Sequence, residues 1–235
     1  MLKDKMTVGI IGGMGPLATT DLFRKIVSRT RASSDQEHLH IIIDNNTNIP
    51  DRTSAIIADG EDPRPQLIIS ARRLRDAGAD FLIMPCNTAH YFYSDVAAAI
   101  DIPVLNMLDE TAWYLKKRGI KTVGLLATDG TIRSEVYEKT LKKQGIKVLY
   151  PNDKGQREVM RVIYDGVKAG NYKLDVRGFV AACDELLTKG AQTLVLGCTE
   201  LPLAFSTFNI NLPNVDPTMV LAETAIRFAG AEIAK

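Results

Sequence analysis

Short, unbroken apolar runs alternate along the chain with longer stretches in which apolar residues recur every three or four positions. That is the pattern of buried parallel strands joined by helices. Residues 7–11, 39–43, 81–84 and 102–107 predict four strands in the first half, with helices that begin near Ala18, span 66–77 and begin at Thr88. A helix over 109–117 then leads to strands at 122–127 and 147–150. Farther on, Val159, Val162, Ile163 and Val167 share one face of a helix predicted over 156–169. Phe179, Val180, Leu186 and Leu187 mark another helix, and a last one is predicted from Thr218 to about Ile233.

Much of this pattern occurs twice. Residues 189–200 repeat the arrangement of 77–88, an apolar strand stopped by a cysteine and small polar residues, and Cys198 follows Cys86 by 112 positions. Val8-Gly9-Ile10-Ile11-Gly12 is echoed 115 positions later by Val123-Gly124-Leu125-Leu126-Ala127. Pro103 is echoed by Pro213, and Glu110-Thr111-Ala112 by Glu223-Thr224-Ala225. These echoes, all in the same order, predict an α/β protein of two pseudo-symmetric lobes. Each lobe is a parallel-sheet α/β sandwich, with the active site in the cleft between them. The lobes are expected at 1–107 and 108–217, with the terminal segment 218–235 packing back on the first.

Polar stretches fall where the predicted strands end, the place where open α/β sheets bind ligands. Gly12-Gly13-Met14-Gly15-Pro16 lacks the G-x-G-x-x-G spacing of a dinucleotide site and reads as a tight turn or a ligand-contacting loop. Arg52, in the polar stretch 44–53, is either a solvated surface arginine or a planar charged fork for a carboxylate. The charged, proline-punctuated loop 59–65 has the character of a flap. Lys168 stands one position beyond its helix's apolar stripe, where compensation of the helix dipole is the ordinary role. Cys183, in a helical apolar pattern without an echo in the first half, is expected to be a buried structural thiol.

Composition narrows the classes. The 235 residues are 46% apolar and 24% charged, with a net charge of +1. Two small lobes can each bury a core in that length. Dispersed Lys and Arg, matched by Asp and Glu, argue against a nucleic-acid binder, and no apolar run approaches the ~20 residues of a membrane span. The amino end has a basic start but no signal-peptide core. Three cysteines, an odd number, fit a reducing cytosol better than a disulfide framework, so a cytoplasmic protein is expected.

Cys86 and Cys198 each sit at a strand's carboxyl end and a helix's amino end, a setting that favours an anion or a thiolate. Three uses of the pair compete. Two cysteines 112 apart with His90, and no C-x-x-C, make a poor zinc set. A redox disulfide needs the sulfurs in contact, whereas the repeat leaves each at the mouth of its own lobe. Two thiols flanking a bound molecule can instead remove a proton from one face and deliver one to the other. That inverts a stereocentre without a cofactor, provided nearby N–H groups, amides and hydroxyls stabilise the developing charge.

Pro85-Cys86-Asn87-Thr88-Ala89-His90, Gly197-Cys198-Thr199-Glu200-Leu201-Pro202 and Ile11-Gly12-Gly13-Met14-Gly15-Pro16 with Thr19 closely resemble the aspartate/glutamate racemase family of cofactor-independent amino-acid racemases. The resemblance runs over essentially the whole chain. It implies a two-lobed α/β fold, usually a homodimer, with Cys86 and Cys198 as acid/base catalysts, no pyridoxal phosphate, and a small-molecule amino acid as substrate. By the same resemblance Met14, Asn87, Thr88, Thr128, Thr131 and Thr199 contact the substrate's amino and α-carboxylate groups. Arg52 and Lys168 read a side-chain carboxylate. Glu200, counted with the substrate-binding residues, stands where glutamate racemases carry His, so the chain resembles the aspartate racemase branch, which also contains broader amino-acid racemases, and glutamate or a broader range of amino acids stays open beside aspartate. A hydantoin racemase, a maleate isomerase and a dicarboxylate-binding protein without turnover are the alternatives.

Overall fold

The computed structural model describes residues 5–234; the basic start of the chain and the end of the 218–235 segment fall partly outside them. In the first half, β1 (Val8–Gly12) lies between β2 (Ile41–Asn45) and β3 (Phe81–Ile83), all parallel. The helices α1 (Pro16–Arg29), α2 (Arg52–Ile57), α3 (Arg64–Asp76) and α4 (Tyr93–Ala98) fill the connections, and α5 (Met107–Lys117) leads to the second half. There β4 (Thr122–Ala127) pairs with β5 (Lys147–Leu149) and β6 (Thr193–Gly197), and β6 pairs with β7 (Asn214–Val215). Connecting them are α6 (Asp129–Arg133), α7 (Val136–Lys143), α8 (Asp153–Arg161), α9 (Arg177–Thr188) and α10 (Leu201–Thr207), with α11 (Pro217–Phe228) last.

The first three strands of the sheet β5-β4-β6-β7 have the order of the sheet β2-β1-β3, and β7 is an added fourth. The two sheets also share internal marks. Leu82 N–H donates to the Pro103 carbonyl at 2.8 Å, and Leu194 N–H donates to the Pro213 carbonyl at 2.9 Å. Gly9 and Gly124 let the central strands lie close to their neighbours: a Cβ on Gly9 would stand 2.4 Å from Leu82 Cδ2, and one on Gly124 2.9 Å from Leu194 Cδ2. Glycine is the residue that fits there, and a leucine at the corresponding position, Leu82 or Leu194, crowds each crossing.

Some elements differ from their expected bounds for identifiable reasons. The strand expected over 102–107 is reduced to a single bridge between Val104 and Leu82. Pro103 has no N–H to continue a ladder, and Asn106 already caps α5 by accepting from Leu108 N–H at 2.9 Å. The second strand starts at Ile41 and runs through Asp44 and Asn45, because β1 pairs with them at Ile11 and Gly12. Thr88–Phe92 is a 3₁₀ turn before α4, and the helix expected over 156–169 becomes α8 followed by a π-helix, Val162–Lys168. The last helix ends at Phe228 rather than near 233, with Gly230 at φ +83° just beyond it as a left-handed terminator.

Chain passes between the halves twice, at 105–107 and at 215–217, and both passages end in a capped helix start: Asp216 Oδ1 accepts from Thr218 N–H at 2.8 Å. Buried Lys25 of α1 ties Asp216 down at 2.6 Å and also pairs with Asp21. Leu221, Ala222, Ala225 and Ile226 of α11 pack with Leu22, Ile26, Phe81 and Ile83 of the first half, and α11 also packs against α5. Among the described residues no helix is long and apolar enough to cross a membrane.

Candidate active site

Loops leaving the carboxyl ends of β1, β2 and β3 meet those leaving β4 and β6, and they close on a narrow cavity. Met14, Arg52, Cys86, Asn87, Thr88, Thr128, Lys168, Cys198, Thr199 and Glu200 all line it. Thr131 stands just behind: its hydroxyl is 2.7 Å from that of Thr88 and 3.1 Å from that of Thr128. Thr88 and Thr128 are themselves 3.1 Å apart, so three buried hydroxyls from two lobes form a closed ring. Thus the residues that the family resemblance assigns to the site are brought to one place. Asp51 and Thr53, which belong to the polar stretch 44–53, also line the cavity, as does Tyr164, which nothing in its sequence setting marked.

Cys86, Cys183 and Cys198 are all free thiols, and all are buried. Only the first and last belong to the cavity. Cys183 sits in α9 among Val162, Phe179 and Leu186, where burial, and then Asp184, push its thiol up to about 12. Among the described residues no group of three or more His, Cys, Asp and Glu side chains is placed to hold a metal.

The backbone that carries Cys86 is held by a histidine. His90 Nε2 accepts from Met107 N–H at 3.1 Å, so its Nδ1 carries the proton and donates to the Cys86 carbonyl at 2.7 Å. Burial lowers this imidazole to about 4, and it stands neutral at ordinary pH. The side chain that looked like a weak zinc ligand is therefore a strut joining Cys86 to the start of α5. Asn87 is gripped from the other lobe, where the fully buried Tyr137 hydroxyl donates to its Oδ1. Its Nδ2 is left buried without a partner. Tyr137 carries no local sequence signal, because only the docking of the lobes brings it to Asn87.

Arg52 is buried at the start of α2, with Nη1 donating to the Ile49 and Pro50 carbonyls at 3.2 and 2.9 Å and Nη2 to the Met14 carbonyl at 3.4 Å. Its Nε has no partner. Burial opposes the guanidinium charge, but Cys86, Asp51 and Glu200 outweigh it and hold the group ionised. Lys168 is the last residue of the π-helix, exposed along much of its surface at the cavity rim. The wider π turn puts its ammonium 4.7 Å from the centre of the Tyr164 ring. Burial again opposes the charge, and Glu200 with Cys198 more than restores it. On the far wall Cys198 Sγ donates to Glu200 Oε2 at 2.9 Å, and Thr199 Oγ1 donates to the same oxygen at 3.3 Å. Burial first, and then the Glu200 charge, raise this thiol well above its ordinary range.

Two unpartnered donors and two cations in a closed space suit a small molecule that carries carboxylate, and two thiols on one cavity suit proton traffic at its centre. Known proteins share the fold and much of the sequence. The structure of Picrophilus torridus aspartate racemase superposes with a TM-score of 0.83, 34% identity, and coverage of 98% of this chain and 96% of that one. An aspartate racemase homologue from Pyrococcus horikoshii OT3 gives a TM-score of 0.77 at 27% identity, covering 96% of this chain and 99% of the other. In sequence, the broad specificity amino-acid racemase RacX of Bacillus subtilis is 28% identical over 223 residues, 93% of this chain and 96% of the relative. The Asp/Glu/Hydantoin racemase family model matches residues 11–225, and the chain belongs to that family.

Proposed function

We propose that the protein interconverts L- and D-aspartate by a two-base mechanism in which Cys86 and Cys198 face opposite sides of the substrate's Cα. The observation that carries this reading is the pair of free thiols, at equivalent strand ends of two matching sheets, on one cavity. As thiolate, one sulfur takes the Cα proton; the other, as thiol, delivers one to the opposite face. The unpartnered Asn87 Nδ2 suits the α-carboxylate, whose negative charge grows as the proton leaves. No pyridoxal phosphate is needed when thiols carry both protons.

Side-chain specificity in this reading rests on unpartnered donors rather than on net charge. Glu200 and Asp51 already offset the two cations, whereas Arg52 Nε is a buried donor that a side-chain carboxylate would satisfy beside Lys168. Incubation of single enantiomers of aspartate, glutamate and alanine followed by chiral chromatography tests the function directly, and aspartate should racemise fastest. Arg52→Leu should raise KM for aspartate about 10-fold or more beyond its effect on alanine, the value of a lost charge-assisted hydrogen bond. Loss common to both substrates reports only the severed ties to Met14, Ile49 and Pro50. Equal losses would therefore remove Arg52 from side-chain recognition.

A further inference from the structure

Residues 87 and 88, next to Cys86, are both held by the opposite lobe. Thr88 is bound into the threonine ring through Thr128 and Thr131 at the start of α6, and Asn87 Oδ1 accepts from the Tyr137 hydroxyl of α7. An asparagine at a helix start ordinarily spends its side-chain oxygen on a nearby backbone N–H. Asn87, at the start of the 3₁₀ turn, makes no such bond and reaches across the lobe boundary instead. Its side chain is buried against the cavity, so the end that faces inward is set by what holds the other end. With Oδ1 taken by the phenol, the inward end is the unpartnered Nδ2.

The holder is itself firmly placed. The Tyr137 ring is fully buried with Leu108, Ala112, Leu115, Leu141 and Val195. Burial raises its phenol well above the ordinary range, which keeps it a donor throughout neutral pH. Among the described residues the tie has no counterpart in the other half. Helix α1, which leaves β1 as α6 and α7 leave β4, contains no tyrosine, and Thr199, which follows Cys198 as Asn87 follows Cys86, donates its hydroxyl to Glu200. A bond made only to join the lobes could end on any polar group of their boundary. This one ends on an amide that lines the cavity.

We infer that Tyr137 is a positioning residue for racemisation, its hydroxyl fixing the Asn87 amide with Nδ2 toward the substrate's α-carboxylate. This rests on the role for that donor proposed above. The phenol touches no substrate and moves no proton; it acts through the amide. Without the hydroxyl, the amide is free to turn about its last side-chain bond and to present Oδ1 to the anion, which repels the charge that Nδ2 would meet. The loss is greatest as the Cα proton leaves, because that charge is then growing.

Tyr137→Phe tests this, since the ring and its packing are kept and one hydroxyl is removed. The expected result is a fall in kcat of about 10-fold or more with KM changed only a few-fold. A double-mutant cycle supplies the readout that a packing role would not give. Asn87→Ala combined with Tyr137→Phe should be no slower than Asn87→Ala alone, because the phenol acts only through the amide. Incorporation of para-aminophenylalanine in place of Tyr137 restores a donor and should recover most of the lost kcat; should Tyr137→Phe fail to fold, that protein is compared with wild type directly. In parallel, the Asn87 side-chain amide, assigned in nitrogen–proton correlation spectra by its absence from Asn87→Ala, should give one sharp pair of signals in the wild type and a broadened or split pair in Tyr137→Phe. Equal loss with and without Asn87 would make Tyr137 a packing residue, and unchanged turnover would make it a bystander. No recovery with the amino donor, or an unaltered amide signal in Tyr137→Phe, would show that the hydroxyl does not set the amide. Each of these overturns the inference. If the wild-type protein racemises nothing, the proposed function falls, and the amide spectra still report whether Tyr137 holds Asn87.

Discussion

Cys86→Ala and Cys198→Ala should each cut racemisation by about 10³-fold or more, while Cys183→Ala stays within a few-fold of wild type. All three thiols are buried and free, so burial alone does not separate them; their surroundings do. Cys183 is enclosed by apolar side chains of α9 and its neighbours, and its loss costs packing, which is read as a lower unfolding midpoint. The other two open on the cavity. Run in deuterated water from one pure enantiomer, the wild-type reaction should give product carrying deuterium at Cα from the first turnovers, while unreacted starting material stays largely protiated. A single base that served both faces would return the substrate's own proton part of the time. Early deuterium in both enantiomers alike, or near wild-type rates in either alanine variant, would eliminate the paired-thiol mechanism.

Acid should unfold the protein through His90. Its imidazole is buried, neutral and lowered from 6.5 to about 4, so the unfolded chain takes up a proton in that interval that the folded chain refuses. For a group whose folded value is depressed, the contribution to stability is complete above the unfolded value and disappears as pH falls through the folded one. Stability should accordingly be flat above pH 6.5 on this account and decline by about 3 kcal/mol as pH approaches 4. Urea titrations at a series of pH values measure this. His90→Gln should be less stable at neutral pH, having lost the strut between Cys86 and Met107, and its dependence on pH in this window should be shallower. An equally steep decline in that variant would assign the acid sensitivity to other groups.

The parts of the fold that are legible in the sequence are those that local burial dictates. Buried strands such as Val8–Gly12 and Thr193–Gly197 are continuous apolar runs, and the repeat between the halves extends them into a matching sheet order. The cysteines are legible because an apolar strand ends abruptly at each. What escapes is whatever depends on one lobe meeting the other. Tyr137 carries no signal in the sequence, and it reaches Asn87 only after docking. Tyr164 lies beside the stripe of a helix that sequence periodicity draws as regular, whereas the π turn swings it with Lys168 to the cavity. The register of 39–43 slips by two residues because an edge strand paired on one side tolerates polar ends such as Asp44 and Asn45. Lys168 and Arg52 are unremarkable in isolation, and only the family resemblance singles them out.

The two passages of chain between the halves, at 105–107 and 215–217, act together as the spine of a book. Helices α5 and α11, which start at these passages, lie against one another, and Lys25 fastens the second start to α1. A single tether would let the covers slide, twist and drift apart; two side by side leave rocking about the spine as the easy motion. A mouth that widened by such rocking would bring Cys86 and Cys198 back to one cavity on closing. Lengthening either passage alone would skew the covers, spoiling alignment while leaving every residue of the cavity intact.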